Sequence, residues 1–254
     1  MQQGHSRRTS FVTGASYGVG AATALALAQE GYDVAISATR AENLKATLVQ
    51  LERTKSRVIP LVLDLGSQPS IVRAVADVVS ELGELDLLVN NAAVTLRKLA
   101  VDVSWAEWNE VLATNVTGTF FLTQQVGSHL IDRGQPGCIV NIASTHGIVG
   151  TSQQSTYGIS KAALIHMTKA LAVEWGQHGI RVNAIAPGAI PGGGFARNMD
   201  ELVAQIPLGR AGTPDDIAQV AVAVLSERFG RYVVGTTVEV DGGLGLISWI
   251  SPKA

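Results

Sequence analysis

Residues 8–37 constrain the fold more than any other stretch of the chain. A short apolar run ends at Thr13 and gives way to a glycine loop, Gly14-Ala-Ser-Tyr-Gly-Val-Gly20. The loop leads at once into Ala21-Ala-Thr-Ala-Leu-Ala-Leu-Ala28, a strong helix-forming run that Gly31 stops. Residues 34–37 then form a second apolar run of strand length. Strand, glycine loop, helix and strand make a βαβ unit, whose helix N-terminus offers unpaired N–H groups beside the strand's carboxyl end. That is a dinucleotide's pyrophosphate site. Gly14, Gly18 and Gly20 let the backbone turn tightly and approach phosphate without a Cβ in the way. Their spacing is GxxxGxG, not the common GxGxxG. A glycine loop alone is a weak signal, because many strand-to-helix turns carry two glycines; three in this setting point to a nucleotide.

The alternation continues down the chain. Helical patterns cover 42–51, 70–82, a long stretch from 105 to 130, 157–175 and 213–225, where Pro214-Asp215-Asp216 marks a start. Buried-strand patterns cover 58–63, 85–89, 137–142, 180–186 and 238–240. About seven strands alternating with helices predict an α/β fold, a Rossmann-like doubly wound parallel sheet with helices on both faces. Ligands bind such sheets at the strands' carboxyl ends. The 14–20 loop, Asp64, Asn90 to Ala93, Ser144 and Pro187-Gly188 all follow predicted strands, so the topology brings them to one edge.

Composition agrees with a single domain over 1–254, in which 1–6 is expected to be a frayed end. The 254 residues are 46% hydrophobic and only 16% charged, enough for a large Ala, Val, Leu and Ile core. A net charge of −2 offers no general attraction to nucleic acid or an anionic membrane. No apolar run reaches the roughly 18 to 20 residues of a membrane span. The lone Cys138 excludes an internal disulfide, so a cytoplasmic protein is expected, and its apolar surroundings make it a core residue and not a nucleophile. The five histidines show no ligand spacing with carboxylates or cysteine, so no catalytic metal is expected.

Tyr157-Gly-Ile-Ser-Lys161 carries the chemistry. Residues four apart share a helix face, which sets a phenol beside an ammonium. Unit charges about 4 Å apart at an effective dielectric near 20 interact by roughly 4 kcal/mol. At about 1.36 kcal/mol per unit, Lys161 is expected to lower the Tyr157 pKa by at most ~3 units.

Thr13-Gly-Ala-Ser-Tyr-Gly-Val-Gly20, Asn90-Asn-Ala-Ala93, Asn115, Ser144, Tyr157-Gly-Ile-Ser-Lys161 and Pro187-Gly188 occur in the order and spacing of the classical short-chain dehydrogenase/reductase family. The chain resembles that family over nearly its whole length. The resemblance implies an oxidoreductase that moves a hydride between a nicotinamide cofactor and a small-molecule ketone or secondary alcohol. Tyr157 would be the general acid or base, Lys161 would tune it and hold the nicotinamide ribose, and Ser144 would polarise the substrate oxygen. Asn115 would hold a water that links Lys161 to solvent. Gly14, Ser16, Tyr17, Gly18, Val19 and Gly20 map to the pyrophosphate loop. Asp64 and Leu65 map to the adenine, Asn91, Ala92 and Ala93 to the ribose, and Pro187, Gly188 and Ile190 to the carboxamide. Ala93 stands where the family commonly has glycine. The run Ile190-Pro-Gly-Gly-Gly-Phe195 lacks a threonine that often touches the cofactor phosphate, within a substrate loop at about 188–212.

Cofactor choice turns on Ser37-Ala-Thr-Arg40. No acid stands there to bind a ribose 2′-hydroxyl, while Thr39 and Arg40 suit a 2′-phosphate, so NADP(H) is favoured and NAD(H) is possible. For the substrate, Thr95, His146, Gln154, Phe195 and Met199 flank the expected pocket, with His146 and Phe195 as candidate contacts. The resemblance also implies a homotetramer or homodimer built on the helices at 105–130 and 157–175. The apolar tail from 244 to 250 is expected to pack on the core or a neighbour. Two other functions fit the motifs. A 3-oxoacyl-carrier-protein reductase would need a basic docking patch, for which Arg97, Lys98 and Arg197 are scattered candidates. A nucleotide-sensing regulator on the same fold would typically have lost the tyrosine or lysine.

Overall fold

The computed structural model describes residues 8–192 and 199–246. Seven parallel strands form one sheet in the order β3-β2-β1-β4-β5-β6-β7. They are β1 Thr9–Val12, β2 Asp33–Ala38, β3 Val58–Val62, β4 Leu87–Asn90, β5 Gly137–Ile142, β6 Ile180–Pro187 and β7 Thr237–Val240. The order reverses between β1 and β4, so the crevice at their carboxyl ends is the topological switch point. Buried side chains alternate along the strands. Val12, Ile36, Val89 and Val140 enter one core, and Phe11, Ala35, Leu88 and Ile139 the other. The period-2 projection of a strand thus gives the sheet two apolar faces, each covered by helices.

The helices are α1 Gly18–Gln29, α2 Lys45–Leu51, α3 Gln68–Leu82, α4 Trp105–Leu112, α5 Thr119–Arg133, α6 Ser155–Trp175, α7 Met199–Val203 and α8 Pro214–Leu225. Three details differ from the sequence reading. The helical pattern at 42–51 opens as a 3₁₀ turn, Ala41–Leu44, before α2. The long helix from 105 to 130 is interrupted by a π-helical turn, Ala113–Gly118. There Gly118 presses against the Leu65 carbonyl, and the Thr119 hydroxyl donates to Thr114 O at 3.1 Å, five residues back. Finally, α7 carried no apolar periodicity in the sequence.

A buried polar ladder fixes the central strands to the helices behind the site. Asn90 Nδ2 donates to Thr123 Oγ1 and to Asn141 Oδ1, both at 2.8 Å, and Asn141 Nδ2 donates to Thr168 Oγ1 at 2.9 Å. These bonds join β4 and β5 to α5 and to α6, the helix that carries Tyr157. Among the described residues, no helix is long and apolar enough to cross a membrane. Cys138 is fully buried, and desolvation pushes its thiol up to about 12, as a core cysteine requires.

Candidate active site

A cleft of about 680 Å³ opens along the carboxyl ends of β1 to β6. Its wall includes Gly14, Ser16, Tyr17, Gly18 and Val19, then Asp64 and Leu65, Asn91, Ala92 and Ala93, and Pro187, Gly188 and Ile190. Ser144, His146, Tyr157 and Lys161 line the same cleft. Segments up to 176 residues apart therefore meet as the alternation of strands and helices predicted.

The glycine loop is shaped for close approach. Gly14 has φ +63°, and a Cβ there would lie 2.7 Å from Ala92 Cα. Gly20 packs against the Gly14 carbonyl and does not line the cleft, so it shapes the loop from behind. Asn91 ties the loop to β4 through Nδ2, which donates to Thr13 O at 3.1 Å and Gly14 O at 2.9 Å. Thr13 Oγ1 accepts from the Asn91 and Ala92 N–H groups, each at 3.0 Å. Tyr17 caps α1 with no side-chain hydrogen bond and no acid stands in the first turn, which leaves the helix N-terminus open to an anion. Ser37 Oγ, on the cleft wall, is buried without a partner. These features fit a dinucleotide along the cleft.

Asp64 does not cap the following helix; Ser67 does, accepting from Ser70 N at 3.4 Å. Asp64 Oδ1 instead accepts from Gly66 N at 2.8 Å, and its carboxylate stays exposed on the wall. At the end of β2, Thr39 lines the cleft while Arg40 is exposed just beyond it, with extended backbone at the start of the 3₁₀ turn. That turn brings Asn43 onto the wall. A regular helix drawn from residue 42 conceals Asn43, because only the tighter turn swings it back toward β2.

Ser144 follows β5 in extended backbone, with its Oγ accepting from His146 N at 3.2 Å and lying 3.2 Å from His146 Nδ1. Gly147 and Gly158 let this loop seat on α6: a Cβ at Gly147 would lie 2.8 Å from the Lys161 carbonyl carbon, and one at Gly158 2.6 Å from His146 O. Burial and the nearby Arg97 charge lower the His146 pKa. Lys161 is buried, 3% exposed, and donates from Nζ to Ile142 O at 2.7 Å. Desolvation lowers its pKa to about 8.

The expected lowering of Tyr157 is reversed here. Burial pushes the phenol up to about 12, and the Ser144 hydroxyl opposes that only in part. Lys161 Nζ sits 5.6 Å from the ring centroid and is held on a carbonyl of β5. The Coulomb argument left out the cost of desolvating a phenolate, and that cost wins.

Asn115 is 1% exposed, and its side chain is committed. Nδ2 donates to Val94 O at 2.8 Å and Ser160 Oγ at 3.0 Å, while Oδ1 accepts from Val94 N at 2.8 Å. It braces the segment after β4 and does not reach Lys161 Nζ. Thr114, on the π turn, also lines the cleft, a position that a regular helix would not suggest. Thr95 and Gln154 line it as expected, and Gln154 Oε1 is buried without a partner. Met199 opens α7 away from the wall. Phe195 and Arg197 lie outside the described residues.

The family model described as enoyl-(acyl carrier protein) reductase matches residues 14–245. The 3-oxoacyl-[acyl-carrier-protein] reductase of Thermotoga maritima is 37% identical across 93% of this chain and 97% of its own length. The chain is a short-chain dehydrogenase/reductase. A short chain dehydrogenase from Bacillus anthracis superposes with a TM-score of 0.91 at 33% identity, covering 96% of this chain and 99% of its own. A variant of actinorhodin polyketide ketoreductase, solved with NADPH, does so with a TM-score of 0.88 at 32% identity, covering 94% and 97%. This short-chain dehydrogenase/reductase is therefore an oxidoreductase of the type that works on a carbonyl or CH–OH group, in a family that uses a nicotinamide cofactor.

Proposed function

We propose that this enzyme reduces a ketone with NADP(H), with Tyr157 as proton donor, Ser144 as the group that holds the substrate oxygen and Lys161 as the fixed cation beside them. The observation that carries this reading is the convergence of all three side chains on the cleft that also holds the glycine loop. A bound nicotinamide dinucleotide supplies the hydride. The chain's own work is to orient the carbonyl and move one proton. A phenol pushed up to about 12 stays protonated at neutral pH, which suits the donor role in reduction. Buried Lys161, still protonated below about pH 8, stabilises negative charge that develops on the substrate and phenol oxygens. Ser144, fixed by His146 N, offers its hydroxyl to the substrate oxygen. With the Asn115 side chain committed to Val94 and Ser160, a proton relay to Lys161 falls to its main-chain carbonyl in the π turn.

The preference for NADP(H) rests on β2: no acid lines the cleft there, Thr39 and Asn43 do, and Arg40 stands beside them. The enzyme works in the cytoplasm as a homotetramer or homodimer. Exposed Trp105 and Phe121 on α4 and α5, and Ile159 and Val173 on α6, support burial of those helices against a second copy.

The test is nicotinamide absorbance with a panel of ketones and alcohols and each cofactor. Substrate-dependent turnover that survives Tyr157→Phe would overturn the proton-donor assignment. Arg40→Ala should weaken NADP(H) far more than NAD(H), and equal losses would overturn the cofactor preference. An acyl thioester turned over in the absence of any free-ketone activity would favour the 3-oxoacyl-carrier-protein alternative.

A further inference from the structure

The segment after β4 carries two neighbouring cations with different fates. Lys98 is paired: its Nζ lies 2.8 and 2.9 Å from the Glu107 carboxylate oxygens. Arg97 is exposed, lines the cleft with Thr95, and makes no ion pair or hydrogen bond among the described residues. Val94, Thr95 and Arg97 line the cleft, whereas Lys98 does not. The segment is also held rigidly. Asn115 clamps Val94 through both its N–H and its carbonyl, and Lys98 N donates to Gln153 O at 2.9 Å. Arg97 is therefore presented by a backbone braced at both ends, a form suited to a specificity contact.

The charge around it is one-sided. Asp64 is the one carboxylate residue on the described cleft wall. It follows β3, four strand positions from β5 and Ser144 in the sheet order. At about 4.8 Å per strand that places it roughly 19 Å away, at the other end of the cleft. The Ser144 end holds Lys161 and Arg97, together with His146, whose pKa burial and the Arg97 charge lower.

We propose that Arg97 receives a carboxylate on the substrate, so that this enzyme prefers oxo acids, and the matching hydroxy acids, over neutral ketones. The inference rests on the oxidoreductase reading above and narrows its substrate class. A guanidinium binds carboxylate through parallel N–H donors. A carrier-borne thioester would bring no negative charge to the carbonyl end. Of the basic candidates for docking a carrier, Lys98 is already paired with Glu107.

The experiment compares a short oxo acid with its methyl ester, in the full-length enzyme with NADPH and with NADH. The expected wild-type result is a kcat/KM for the acid at least tenfold above that for the ester. Arg97→Gln should lower that acid-to-ester ratio about tenfold, mainly through the KM of the acid, and Arg97→Lys should restore part of it. Tenfold is the lower end for a hydrogen-bonded charge, as an exposed site requires. Arg97 is exposed, so an unchanged thermal midpoint is expected for both variants. Equal acid and ester constants in the wild type, a ratio unmoved by Arg97→Gln, or a preference for an acyl thioester over the acid would each overturn the inference and leave the oxidoreductase reading standing. No turnover of any of these compounds with either cofactor would overturn both.

Discussion

Replacing Lys161 with methionine should stabilise the fold in a pH-dependent way while it removes activity. The ammonium is buried, and desolvation alone lowers its pKa from 10.5 to about 8. Between those values the unfolded chain binds a proton that the folded chain does not, so stability rises with pH across that window. Below pH 8 the folded protein carries a penalty of about 3 kcal/mol for holding the charge, at about 1.36 kcal/mol per unit. By pH 10 most of it, about 2 to 3 kcal/mol, is relieved by the same linkage relation. Lys161→Met removes the titrating group but orphans Ile142 O, a cost of about 1 to 3 kcal/mol that does not depend on pH. The difference in unfolding free energy between variant and wild type should therefore favour the variant more at pH 7 than at pH 10, by about 2 to 3 kcal/mol. Urea denaturation at both pH values and one fixed protein concentration measures it, the concentration being held because assembly adds to apparent stability. A difference that stays constant with pH would show that burial does not tax this ammonium, and the reasoning would fail.

Three further outcomes are expected. With Tyr157 protonated throughout, kcat/KM for ketone reduction should be level from pH 6 to 7.5 and fall above about 8 as Lys161 loses its proton; a fall that begins below pH 7 would contradict this. Gly14→Ala places a Cβ 2.7 Å from Ala92 Cα at a φ of +63°, so urea denaturation should show a loss of about 2 kcal/mol or more, and calorimetric titration a loss of at least tenfold in NADPH affinity. Asn115→Ala leaves the Val94 N–H and carbonyl without their partners and should cost about 2 to 4 kcal/mol in the same denaturation assay, with a raised KM as the 94–98 segment loosens; unchanged stability would show that the clamp is dispensable.

Much of this was legible in the residues alone. The parallel sheet follows from strands of buried length separated by helical periods, and those patterns are local. The glycine loop, Ser144 and Tyr157 with Lys161 follow from spacing along single elements, because a helix turn or a strand end places its neighbours in a known direction. What depends on neighbours distant in sequence was not legible. The π turn at Ala113–Gly118 exists where Gly118 packs on Leu65 and Asn115 reaches Val94, and neither contact leaves a local pattern. Asn43 reaches the wall because the chain after β2 tightens into a 3₁₀ turn. Arg97 and Lys98 are adjacent basic residues in the sequence, and only the fold separates a paired cation from an unpaired one. The sign of the Tyr157 shift is the sharpest case. Sequence spacing sets the lysine near the tyrosine, but the balance between attraction and desolvation depends on what the folded chain packs around both. In this enzyme burial outweighs the charge, and burial exists only once the tertiary structure has formed.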